Sequence, residues 1–187
     1  MNIYAIGDLH LSGEPPAKPM EIFGEHWLGH KEKIKNNWLA TVTDGDVVII
    51  CGDISWAMGV KNAAEDLAWL AQLPGRKLLL RGNHDYWWSS LAKMQQLYGE
   101  HFEFIQNDCT MVDNISICGT RGWVLPSAEN FSAEDEKIYK REALRLELSL
   151  KAAQHHNPEQ LIVAMHYPPL FAADEHTLCT DLMEKYH

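Results

Sequence analysis

No C-x-x-C pair occurs in this 187-residue chain, and its four cysteines, Cys51, Cys109, Cys118 and Cys179, stand far apart. That spacing excludes a zinc ribbon and a thiol redox motif. In a chain of this length, scattered thiols fit a reducing compartment better than a disulfide framework. Long apolar runs are missing as well. Runs of five, such as residues 47–51, fall far short of the about 20 residues needed to cross a bilayer, and residues 1–8 lack the cationic start of a signal peptide. The expectation is a cytoplasmic protein with no membrane association. Positive charge is scarce: 16 Lys and Arg face 26 Asp and Glu, a net charge of −10. Such a surface argues against a dedicated nucleic-acid surface and against a polybasic membrane binder. Anionic substrates stay open, because bound metal ions reverse the field locally.

What is present is ordinary globular composition, 46% hydrophobic and 22% charged, with no internal repeat, low-complexity tract or linker. These features predict a single α/β domain over residues 1–187. Continuous apolar runs at 3–6, 47–51, 78–80 and 161–165 read as strands covered on both faces. Helical periodicity covers 26–41, 60–72, 89–98 and 133–155. Leu73-Pro74-Gly75 stops the second of these helices, Ser132 caps the fourth, and Asn157-Pro158 closes it. Between them, 110–112 and 115–118 read as short strands joined by an Asp113-Asn114 turn.

The chemistry follows the strands. Gly7-Asp8-Leu9-His10 comes after the first, Gly52-Asp53 after the second, Arg81-Gly82-Asn83-His84-Asp85 after the third and His166 after the fourth. Ligands of α/β sheets bind at the carboxyl ends of strands. If the four strands are parallel neighbours, Asp8, His10, Asp53, Asn83 and His166 converge on one spot. Oxygen and imidazole donors without thiolate suit Mn²⁺, Fe²⁺/³⁺ or Zn²⁺. Two carboxylates, one amide and two imidazoles exceed what one open ion needs, and a bridging carboxylate would let them hold two.

Asp8-x-His10, Gly52-Asp53, Gly82-Asn83-His84-Asp85 and His166, in that order, resemble the motifs of the calcineurin-like metallophosphoesterase superfamily. The resemblance implies a two-sheet β-sandwich flanked by helices, an α/β fold of four layers, with a dinuclear site at the strand ends. It implies that Asp8, His10 and Asp53 hold one ion, that Asp53 bridges to a second ion held by Asn83 and His166, and that His84 is catalytic. The implied activity is hydrolysis of phosphate mono- or diesters by a metal-bound hydroxide, the substrate being a small phosphate ester or a nucleotide. Asn83 and Arg81 are the candidates for contact with substrate phosphate, although Arg81 could equally brace Asp8 or a strand edge. Asp85 would orient the loop that carries His84.

Two departures from the family pattern shape the expectation. The phosphate-reading Asp-Arg pair of the protein Ser/Thr phosphatases does not follow Gly52-Asp53, where Ile54-Ser55-Trp56 stands instead. The closing Gly-His-x-His motif is absent, and residues 180–187 resemble the helix that precedes it. The chain is therefore expected to be C-terminally incomplete, lacking its last strand or strands. It would then hold metal incompletely or borrow a donor such as His176 or a partner chain, and its open sheet edge would invite homo-oligomers. Two alternatives stand beside the enzyme: a non-catalytic scaffold on the same fold, and a nuclease, which would need the basic strip that this composition lacks. Trp87 and Trp88 are either a stacking wall or packing anchors, and Trp56 carries the same ambiguity. His26 and His30 share a zinc-helix spacing but lack the zincin glutamate, so they read as helix residues. His155-His156 and Glu134-Asp135-Glu136 read as charged helix ends.

Overall fold

The computed structural model describes residues 1–186. The chain divides into two compact units, Met1–Phe104 and Ile105–His187. In the first, strands β1 (Ile3–Ile6), β2 (Val47–Ile50), β3 (Arg76–Leu80) and β4 (Glu103–Ile105, reaching the unit boundary) form a sheet in the order β1-β2-β3-β4. The first three strands run parallel, with Ile3 opposite Val47 and Val47 opposite Arg76. Every residue of β2 is buried, which is why its sequence is an unbroken apolar run rather than an alternating one. Helices α1 (His30–Thr41), α2 (Ala64–Ala71) and α3 (Leu91–Tyr98) connect the strands. Trp38, Leu67, Leu70 and Met94 from these helices join Val48, Ile50 and Leu79 in one apolar core.

Helix boundaries are shorter than periodicity predicts. Helix α1 begins at His30 rather than residue 26, because Gly29 takes φ 63° and forces the chain out of the helical path. Glu25–Trp27 is a separate 3-10 turn ahead of it. Residues 60–63 belong to a turn in which the Asn62 N–H donates to the Gly59 carbonyl, so α2 starts at Ala64.

In the second unit, β5 (Cys109–Val112) and β6 (Ile115–Thr120) form an antiparallel hairpin, and β7 (Gln160–Met165) lies parallel to β6. Asp113, at φ 51°, makes the turn. Helix α4 (Ala133–Gln154) lays Tyr139, Leu146, Leu150 and Ala153 against Cys118 and Leu125, and α5 (Leu178–Lys185) contributes Cys179 to the same cluster. Ser132 and Asp135 form the capping box that starts α4, satisfying two backbone N–H groups that the helix itself cannot.

The fold is thus mixed α/β with two sheets flanked by helices. One expectation is corrected: of the four motif-bearing strands, three are parallel neighbours, whereas β7 belongs to the other sheet. The β5–β6 hairpin opens a second sheet, and β7 bonds to β6 along six register pairs. None of the four cysteines is disulfide-bonded, and among the described residues no helix is long and apolar enough to cross a membrane.

Candidate metal centre

The turns after β1 and β2 run side by side. Asp8 N–H donates to the Gly52 carbonyl at 3.0 Å, His10 N–H to Asp53 O at 2.9 Å and Leu11 N–H to Ile54 O at 2.9 Å. Within this ladder Asp8, His10 and Asp53 sit at φ 56°, 45° and 50°, the left-handed region that non-glycine residues seldom enter. Each such residue costs about 1–3 kcal/mol, a strain that persists where the surroundings over-determine it and that clusters at functional sites. The strain turns all three side chains toward a common point. His10 Nε2 lies 3.4 Å from Asp8 Oδ1 and 3.8 Å from Asp53 Oδ2. Asp53 and His10 are buried, while the Asp8 side chain is 58% exposed.

The turn after β3 closes on the same carboxylate. His84 N–H donates to Asp53 Oδ1 at 2.8 Å, which leaves Oδ2 directed at His10. A Cβ at Gly82 would overlap the Asp53 carboxylate and its backbone nitrogen, so only glycine permits this approach. Asp85, fully buried, ties the turns together: Oδ1 accepts from Ile54 N–H, Ser55 N–H and Trp87 Nε1, and Oδ2 from Gly82 N–H. Burial pushes its pKa above the ordinary carboxylate value, against the four donors that favour the charged form. Asp85 therefore orients the loop, as expected from its place in the motif.

Aromatic rings wall this centre. The Trp56 ring stacks on His10 at 4.7 Å and 16°, and lies 4.5 Å from the His84 ring. The indole N–H is directed to Met20 Sδ at 3.2 Å. Trp56 is thus part of the site, whereas Trp87 and Trp88 are core residues, 2% and 5% exposed. His30 is no ligand here. Its Nε2 lies 3.1 Å from the Leu9 carbonyl and holds the turn between Asp8 and His10. Arg81 braces neither Asp8 nor a strand edge: among the described residues no hydrogen bond or ion pair engages its guanidinium, and its Nε is buried. Asn83 lies between Gly82 and His84 on the β3 turn.

His166 belongs to the second unit, directly after β7. The N–H groups of His166 and Tyr167 donate to the Arg121 carbonyl at 3.2 and 2.9 Å. Arg121 is itself held through Nη2 to Glu142 Oε1 at 3.2 Å, and the neighbouring Thr120 hydroxyl donates to Glu142 Oε2 at 2.7 Å. Glu142, buried on α4, so fixes the strand end that carries the His166 backbone. Sequence alone gave no sign of it, because a glutamate in a helix full of charged residues looks like any exposed one. His176, the suggested substitute donor, is exposed and lies 3.9 Å from Asp181.

The donor set of the first unit suits a metal ion. Two carboxylates converge on one imidazole, and such crowding of like charge calls for a cation. His10 Nδ1 is buried without a hydrogen-bond partner, so the ring is positioned by stacking on Trp56 and by its neighbours around Nε2.

A family described as calcineurin-like phosphoesterase matches residues 1–186. Gene 66 protein of Mycobacterium phage D29 is 36% identical over 86 residues, covering 45% of this chain and 40% of that protein. Gene 66 protein of Mycobacterium phage L5 is 32% identical over 84 residues, with the same coverage. The matched stretch thus spans well under half the length of these curated relatives. A crystal structure of a protein of unknown function from Aquifex aeolicus covers 88% of this chain and 90% of its own, at 20% identity and a TM-score of 0.43.

Proposed function

The chain belongs to the calcineurin-like phosphoesterase family, and from that premise we propose that it is a dinuclear metal-dependent phosphohydrolase of phosphate mono- or diesters, its substrate a small or nucleotide-like compound. The observation that carries this reading is the strained trio of Asp8, His10 and Asp53, each held at positive φ and each turned to the same point. Positive φ alone is met in ordinary turns, as at Asp113, but here three such residues bring their side chains together.

Asp8, His10 and Asp53 would hold one ion, Asp53 would bridge, and Asn83 and His166 would hold the second; His166 enters on the order of the family's motifs. Bound there, Mn²⁺, Fe²⁺/³⁺ or Zn²⁺ supplies Lewis acidity toward phosphoryl oxygen and lowers the pKa of water. The chain's own residues do the rest. His84 is kept beside Asp53 by its backbone N–H, and its half-buried ring is engaged by no hydrogen bond among the described residues. It is therefore available to protonate the leaving oxygen. Arg81 and Asn83 orient the phosphoryl group, a guanidinium fork being matched to its oxygens. The family match runs through both units, which supports reading residues 1–187 as one domain. Four thiols outside any disulfide support the cytoplasmic assignment.

The test is hydrolysis of p-nitrophenyl phosphate and bis-p-nitrophenyl phosphate with added Mn²⁺, Fe²⁺ or Zn²⁺. Turnover that a chelator abolishes and Asp53→Asn removes supports the reading. Folded, metal-loaded protein inert toward a broad panel of mono- and diesters overturns it.

A further inference from the structure

Acidic groups outnumber basic ones in this chain, and two cations of the first unit engage them: Lys31 pairs with Glu14, and Arg76 with Glu103. Lys18 does not. Among the described residues no carboxylate lies within ion-pair distance of its Nζ. The ammonium instead rests on the Trp56 ring, 3.1 Å from the centroid, with the Phe23 ring at 5.2 Å. The same indole stacks on His10 and touches His84. One aromatic ring thus separates an uncompensated positive charge from a candidate metal ligand and the candidate proton donor.

The backbone around Lys18 is anchored. Ala17 N–H donates to the Ser12 carbonyl at 2.8 Å, and Ser12 Oγ donates to the Lys18 carbonyl at 3.0 Å. Gly13 N–H donates to Asp66 Oδ1 at 2.8 Å, and buried Met20 receives the Trp56 indole N–H. Only the four-carbon stem is left to move. A cation on an aromatic face is held more weakly than one hydrogen-bonded to phosphate, so an arriving anion displaces the indole as partner.

We propose that Lys18 is a substrate-binding residue whose ammonium leaves Trp56 to hydrogen-bond an anionic group adjoining the scissile phosphoryl, so that the site favours organic diphosphates over simple monophosphates. Set off by the width of an indole from His10, the ammonium is placed for a second phosphate rather than for the one being cleaved. This inference rests on the phosphohydrolase reading above.

Two probes that resist hydrolysis test it by calorimetry on manganese-loaded protein: methylenediphosphonate, with two anionic groups, and methylphosphonate, with one. Lys18→Met keeps the apolar stem on Trp56 and removes the charge. It is expected to weaken methylenediphosphonate by about tenfold or more, the usual worth of a charge-assisted hydrogen bond, and to leave methylphosphonate unchanged. Lys18→Arg restores much of the loss. Indole emission changes on methylenediphosphonate binding in the parent protein and stays constant in Lys18→Met. If Lys18→Met binds both probes as the parent does, the inference falls, whatever the hydrolysis assay shows. If binding depends on Lys18 while no ester is hydrolysed, the phosphohydrolase reading falls and the anion-binding role of Lys18 stands.

Discussion

Asp85 Oδ1 accepts the Ile54 N–H at 2.8 Å, which locks the turn after β3 to the turn after β2. Neither residue is a candidate ligand, yet the bond fixes the spacing between Asp53 and the Gly82-Asn83-His84 turn. Asp85→Ala would leave four buried donors without an acceptor, and breaking one partner of a buried charged network costs about 3–5 kcal/mol. Urea denaturation should show a loss of that order. Asp85→Asn keeps one oxygen acceptor and should lose less. A change within experimental error for Asp85→Ala would mean that the turns hold themselves.

The bridging assignment separates two carboxylates. Asp53→Asn retains an oxygen for the His84 N–H but removes the charge that the two ions would share, so it should empty both metal positions. Asp8→Asn should mainly empty one. Elemental analysis after dialysis reads the stoichiometry, and equal losses in the two variants would remove the bridge.

His84 tests the division between binding and chemistry. His84→Ala should keep the metal content of the parent and lower kcat by about 10²–10⁴, the range of general-acid catalysis. The loss should be largest for esters with poor leaving groups. Metal and activity vanishing together would make His84 a ligand.

Asp46 gives the pH prediction. Its carboxylate accepts from Asn2 N–H, Thr43 N–H and the Thr43 hydroxyl, and these bonds lower its pKa from 3.8 to about 2. A depressed folded-state pKa adds stability that is complete above the unfolded value and lost as pH falls through the folded one. The parent protein should therefore lose stability between pH about 4 and about 2 more steeply than Asp46→Asn. Melting curves across that window compare them, and parallel acid limbs would refute the assignment.

Much of the first unit was legible before folding. Runs such as 47–50 carry no polar position, which marks a strand covered on both faces, and the glycines after them mark sharp turns. The ligand candidates followed because each sits directly past such a run. The boundary of α1 was less legible, since an amphipathic pattern continues through Gly29 while the backbone there turns left-handed. The four-strand neighbourhood failed because an apolar run states that a strand is buried and leaves its partner open; β7 found β6.

Local order along the chain determined the strands, the capping residues and the spacing of Asp8, His10, Asp53, Asn83 and His84, because those signals act over a few residues. Tertiary structure alone decided that Asp85 serves two turns, that Trp56 walls the site while Trp87 and Trp88 fill the core, and that Lys18 lies on Trp56. Each of those outcomes depends on which surface a side chain meets once remote segments pack. Lys18 and Trp56 are 38 positions apart, and no pattern of period two or 3.6 links residues at that separation.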